Sequence, residues 1–192
     1  MSADPGIAAP GAPRSARSWV WPIVVGALVA LALGLLARAE AVSPGEYPGG
    51  YFRLFFSDPL HLKVWFATAA LAVALLQPVS AAWMFGRLPW RRPAWLPRAH
   101  RLTGLVVILL TLPIAYHCIF KLGFQTYSER VVTHAVLGCA FYGFFVAKVM
   151  IVQRRRYPWW AYVVAGGGLF VLLLALWYTS ALWLFRTAGV AL

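Results

Sequence analysis

Histidine occurs four times in this chain of 192 residues, as His61, His100, His117 and His134, and each lies at or inside an apolar stretch. An imidazole held away from water needs a task there: ligating a metal or haem iron, moving a proton, or meeting a polar partner. The stretch "RAHRLTGLVVILLTLPIAYHC", from Arg98 to Cys118, carries two of the four. As a helix it would separate His100 from His117 by about 25 Å along the axis. The two would therefore face opposite ends and serve different sites.

The elements that must position them are membrane helices. Hydrophobic residues make up 62% of the chain and charged residues 11%, with a mean hydropathy of +0.74. A soluble domain of this size has no use for so much apolar surface, whereas a lipid bilayer does. Five segments are long enough to cross the ~30 Å hydrocarbon layer: residues 19–37, 60–85, 102–120, 131–152 and 159–185. The second opens on "SDP" at Ser57 to Pro59, a helix-start signal. Tryptophans at Trp19, Trp83, Trp159, Trp160 and Trp183 sit where an interfacial belt belongs. The expected fold is an all-α integral membrane bundle of five helices, with spans two to five as a four-helix core. Residues 1–18, rich in Ala, Pro and Gly, read as a disordered tail.

Net charge is +12, yet the basic residues form no single patch of the kind nucleic acid needs. They fall in the gaps between spans, where they set orientation. Arg14, Arg17, Arg87, Arg91, Arg92, Arg98, Arg101 and Arg154 to Arg156 share one side. Glu40, Glu46, Asp58 and Glu129 fall on the other, with Arg38, Arg53, Lys121, Arg130 and Arg186. The positive-inside rule then predicts a multi-pass protein of the cell membrane with its N-terminus in the cytoplasm and its C-terminus outside. "ARAEA" at Ala37 to Ala41 also has the small residues of a signal cleavage site, but the apolar run before it is long for a signal peptide and reads as a retained helix. Cys118 and Cys139 lie inside spans, form no CxxC, and read as small buried hydrophobes.

In this topology His61, His117 and His134 belong to the outer half and His100 to the inner mouth. His61 and His100 also suit the headgroup region as ordinary interfacial residues; His117 and His134 lie further in. Zinc would want three or four ligands, and Asp58 and Glu129 form no tight motif with the histidines. Haem b needs only two imidazoles at matching depth on facing helices. It also needs room for the ring and cations for its propionates. Gly104 and Gly138 each follow a histidine by one helical turn on the same face, leaving room for a flat ring, and "GGG" at Gly166 to Gly168 thins span five in the same way, although close helix packing explains glycine equally well. Arg130 and Lys121 flank His134 and His117 toward the outer surface. Measured from the inner arginines, His117 stands at roughly 24 Å, His134 at roughly 30 Å and His61 at roughly 39 Å. Depth makes His134 one ligand and favours His117 as the other.

The motifs "HRLTG" (His100 to Gly104) and "HAVLG" (His134 to Gly138), each opening a span, resemble the haem-b membrane cytochromes of the cytochrome b-561 and ferric-reductase-like group. More closely, "AHRLTG…LPIAYHC" and "THAVLGCAFYGFFVAKV" are similar to a family of uncharacterised actinobacterial multi-pass membrane proteins. The similarity covers spans two to four. The cytochrome resemblance implies histidines on alternate helices, which would pair His61 with His134 and competes with the depth argument for His117. Two-haem members carry a histidine on the fourth core helix; span five has none, leaving His100 without a histidine partner. Lys148 stands near its depth but reads as a snorkelling residue beside "RRR".

Two functions are consistent with these residues. One is a membrane electron-transfer protein with haem b near the outer face, taking electrons from a quinol or a redox protein, with Tyr116, Glu129 or backbone carbonyls holding the ligand N–H groups. It would be an electron carrier or an oxidoreductase component. The other is a cofactor-free membrane protein of accessory, assembly or transport type. Pro113 and Gln77–Pro78 interrupt two spans, yet no Asp or Glu lies inside any span, which weighs against a proton-coupled carrier. Nothing resembles a nucleophile–base pair or HExxH.

Overall fold

A computed structural model describes residues 17–43, 50–154 and 157–188, the side chains of 17–19 excepted. Most of the expected tail, Glu46, Arg155 and Arg156 lie outside the described residues. The described chain is all-helical. It runs α1 (Arg17–Ala39), α2 (Pro59–Ala74), α3 (Leu76–Met84), α4 (Leu96–Tyr116), α5 (Glu129–Arg154), α6 (Trp159–Trp177) and α7 (Trp183–Ala188). A π-helical turn, His117–Leu122, continues α4, and a second, Tyr178–Leu182, joins α6 to α7. Among the described residues these make five helices long and apolar enough to cross a membrane. Between 11% and 22% of each span is buried inside the protein. The remaining faces, such as Leu28, Leu31 and Leu35 on α1 or Leu102, Leu105 and Leu109 on α4, are apolar and exposed. Faces of that kind suggest a membrane protein.

Helix ends run past the expected limits. The third helix begins at Leu96 and ends at Leu122, so His100 lies one turn inside it. The second is broken at Leu75, between α2 and α3, because Pro78 has no N–H to continue the ladder through that turn. Asp58 caps α2: its Oδ1 accepts from the N–H of Leu60 at 2.7 Å and of His61 at 2.9 Å, with Pro59 preset in the first turn. Burial alone would raise the Asp58 carboxyl, but the His61 N–H, the His61 ring and the Leu60 N–H outweigh it and hold the group below its ordinary 3.8. The stabilisation is thus complete above 3.8 and is lost as pH falls through the lower folded value. Asp58→Ala should cost about 1 kcal/mol, read as a lower melting midpoint in detergent at neutral pH. The difference from the native chain should vanish in strong acid.

The buried core joins Ala70 and Ala74 of α2, Val107 and Ile108 of α4, Phe141 of α5 and Leu173 of α6. α2 packs closely on α4, and α5 on α6. The gap between α4 and α5 is bridged by Tyr142, whose hydroxyl meets the Thr111 carbonyl at 3.1 Å and its Oγ1 at 3.0 Å. α1 lies outside this group against α5, where the Gly26 and Gly143 backbones meet, flanked by the Cβ atoms of Ala30 and Ala147. Its end is tied to the chain after α4: the Phe124 N–H donates to the Ala37 carbonyl at 2.7 Å. Gly123 makes that approach possible, since its φ is +67° and a Cβ would strike the Ala41 backbone.

Candidate functional site

Three of the four histidines point the same ring nitrogen at a fixed partner. His61 Nδ1 lies 2.6 Å from Asp58 Oδ2, with Ser57 Oγ at 3.1 Å. His134 Nδ1 lies 2.9 Å from Thr179 Oγ1, and His100 Nδ1 lies 2.7 Å from Ser80 Oγ. A hydroxyl has one proton. Thr179 directs its own at the Ala175 and Leu176 carbonyls, at 2.9 Å and 3.1 Å; Ser80 directs its own at the Leu76 carbonyl at 2.6 Å. With its proton so directed each hydroxyl is able to accept from its histidine, and donation from Nδ1–H would leave Nε2 with a lone pair. That is the electronic arrangement of a metal-ligating imidazole.

His117 differs. It is fully buried, and neither ring nitrogen has a hydrogen-bond partner. Aromatic rings surround it, with centroids at 4.4 Å for Phe52, 5.4 Å for Tyr51 and 5.6 Å for Tyr116. An imidazole with both nitrogens dry and unsatisfied carries a desolvation cost that native interiors rarely tolerate without a ligand.

Two cross-helix hydrogen bonds set the relative heights. Tyr142 ties its level on α5 to Thr111 on α4. From Thr111 to His117 is roughly 9 Å, and from Tyr142 back to His134 roughly 12 Å. Tyr142 leans toward its helix N-terminus, the His134 end, and its reach absorbs the difference of about 3 Å. On these rises His117 and His134 come to about the same height along their helices. Lys63 on α2 lies within electrostatic reach of both. On the other side, Trp177 Nε1 donates to Thr68 Oγ1 at 3.1 Å. Thr179 stands roughly 3 Å beyond Trp177, and His61 roughly 10 Å beyond Thr68. Trp177 leans toward the N-terminus of α6 by about 3 Å, so His61 rides about 4 Å above the His134–Thr179 level.

Both π-helical turns fall at this end, one beginning at His117 and the other containing Thr179. Widened turns free carbonyls, and the Thr179 and Ser180 hydroxyls take up those of Ala175 and Leu176. Arg130 stiffens the same turn, donating to the Thr179 carbonyl at 2.7 Å and lying 3.8 Å over the Trp183 ring. Lys121 Nζ stands 5.8 Å from the Tyr116 ring and within electrostatic reach of His117. A Cβ at Gly138 would meet only Leu176, at 4.0 Å, so the face one turn below His134 is open. The face at Gly104 is not: Gln77 fills it, its Oε1 3.3 Å from where a Cβ would sit. Gln77 Nε2 donates to the His100 carbonyl at 3.0 Å and to Thr103 Oγ1 at 2.7 Å. His100 thus belongs to a separate polar cluster near the other end, with Lys148 in electrostatic reach.

No motif in the sequence marks Thr179, Ser80 or Lys63 as site residues, and Asp58 reads there as a helix start and as an outer carboxylate without a metal motif. The partner of His134 is Thr179, where Tyr116 or Glu129 had been expected. A Thr–Ser pair in an otherwise apolar span was the available signal. Among the described residues no three His, Cys, Asp or Glu side chains converge, the number a common zinc site needs.

No curated protein and no solved structure matches the chain. Nothing found links it to cytochrome b-561 or ferric reductases. The model of the Family of unknown function (DUF6529) matches residues 19–192, and the chain belongs to that family.

Proposed function

We propose that this is a membrane electron-transfer protein holding one haem b between His134 and His117. The observation that carries the reading is the buried imidazole of His117 with both nitrogens unsatisfied; helical rise puts His134 at about the same height. When bound, the haem would supply one-electron chemistry to a quinol or redox-protein partner. The residues of the chain do the rest. Thr179 accepts the Nδ1–H of His134 and so fixes its tautomer and ring plane. Phe52, Tyr51 and Tyr116 keep water from His117. Lys63, Lys121 and Arg130 supply positive charge for propionates. Positive-inside charge supports placing this end outside the cell membrane, with the N-terminus in the cytoplasm.

The test is a reduced-minus-oxidised visible spectrum of the purified protein and of His134→Ala, which should lose the b-type α band. Thr179→Val should keep the band but weaken haem retention about ten- to a hundredfold, the usual effect of removing a ligand's hydrogen-bond partner; haem titration of the apoprotein reads it. A cofactor-free accessory or transport role is favoured by a different observation: three histidines already have a partner for Nδ1. Under that reading every variant stays colourless, as does the native protein.

A further inference from the structure

Two clefts on the described surface share a boundary at α1. The first, of about 340 Å³, lies at the α1 C-terminus and is lined by Arg38, Ser43, Gln125, Thr126 and Tyr127 among others. The second, of about 370 Å³, runs down the seam between α1 and α5 past Leu31, Gly34, Leu35, Val136 and Cys139. Arg38 and Phe124 line both, so the polar cleft opens directly into the apolar groove. Among the described residues no Asp or Glu lines either one. The Arg38 side chain is exposed and makes no ion pair among the described residues. Gly34 opens the groove floor, since a Cβ there would meet only Cys139 Sγ, at 3.9 Å.

A polar, cationic mouth above an apolar trench is the shape and charge of one lipid. From Arg38 down to Ala30 the groove is roughly 12 Å deep, close to the ~15 Å occupied by one leaflet's acyl chains. A guanidinium at the headgroup level matches a phosphate oxygen geometrically as well as electrostatically. We propose that the α1–α5 seam is a binding site for one anionic phospholipid, with its phosphate at Arg38 and an acyl chain along Gly34 and Cys139. The site is independent of what the histidines hold.

The experiment uses the full chain in nanodiscs of equal parts phosphatidylglycerol and phosphatidylcholine, followed by mild detergent extraction and native mass spectrometry. The native protein should retain one phosphatidylglycerol, with about fivefold preference over phosphatidylcholine, the contribution of one arginine at a membrane surface. Arg38→Gln, a change at an exposed side chain, should bring that preference close to unity. Gly34→Leu fills the groove and should lose both lipids while keeping its helical circular dichroism. Equal retention of the two lipids by the native chain would overturn the proposal, as would an unchanged preference in Arg38→Gln. A lipid-free dimer would assign the groove to a second copy and overturn it too.

Discussion

His117→Phe should strip the protein of its haem spectrum, while His61→Ala should keep it. Phenylalanine occupies nearly the volume of the imidazole and suits a pocket already made of Phe52, Tyr51 and Tyr116, so the fold survives and only the lone pairs are removed. Losing an axial ligand should exceed the ten- to hundredfold penalty of losing a ligand's hydrogen-bond partner. His61 offers the strongest contrast. Its side chain is 24% exposed, whereas His117 has no exposure at all. It also stands about 4 Å above the level of His134 along the helices. Haem titration of the three purified proteins measures the effect. Retention in His117→Phe with loss in His61→Ala would instead pair His61 with His134, as the cytochrome b-561 resemblance implies.

The second large effect is expected where no histidine lies. At the crossing of α1 and α5 a Cβ on Gly143 would strike the Gly26 carbonyl and come within 2.9 Å of the Ala30 side chain. A Cβ on Gly26 would come within 2.6 Å of the Gly143 carbonyl. Small residues let helix backbones meet where lipid provides no hydrophobic push, and van der Waals contact is the main attraction. Gly143→Leu should therefore separate α1 from α5, at a cost of about 1–3 kcal/mol or more as an overpacked contact. Cys139, facing Gly34 across the same seam, reports the separation. In a Cys118→Ala background it should react with N-ethylmaleimide several times faster in Gly143→Leu than with glycine in place. An unchanged rate and melting midpoint would mean that α1 is held by its end contacts to Phe124 alone.

The spans were legible because their length and apolar composition depend on nothing outside each segment. Their ends were less so: the α4 run extends to Leu122 because a π-helical turn continues past Tyr116, and no local pattern announces such a turn. The break at Leu75 had its signal in Gln77–Pro78. Which helix α1 packs against was not legible, since Gly26 and Gly143 matter only when they meet. The histidines were conspicuous, and their depths followed from a constant rise per residue. Their partners were not. Thr179 reaches His134 across helices, and Gln77 fills the face of Gly104 that a flat ring would also suit. Both depend on how helices rotate about their axes, which neither spacing nor composition determines.

The central claim is that this end of the bundle holds haem iron between two imidazoles. The most direct measurement is a pyridine haemochrome assay, with a dithionite-reduced spectrum, on native protein expressed with ample haem. The account predicts a sharp b-type α band and about one haem per chain, the stoichiometry of a single bis-imidazole pair. A colourless, folded protein would contradict it.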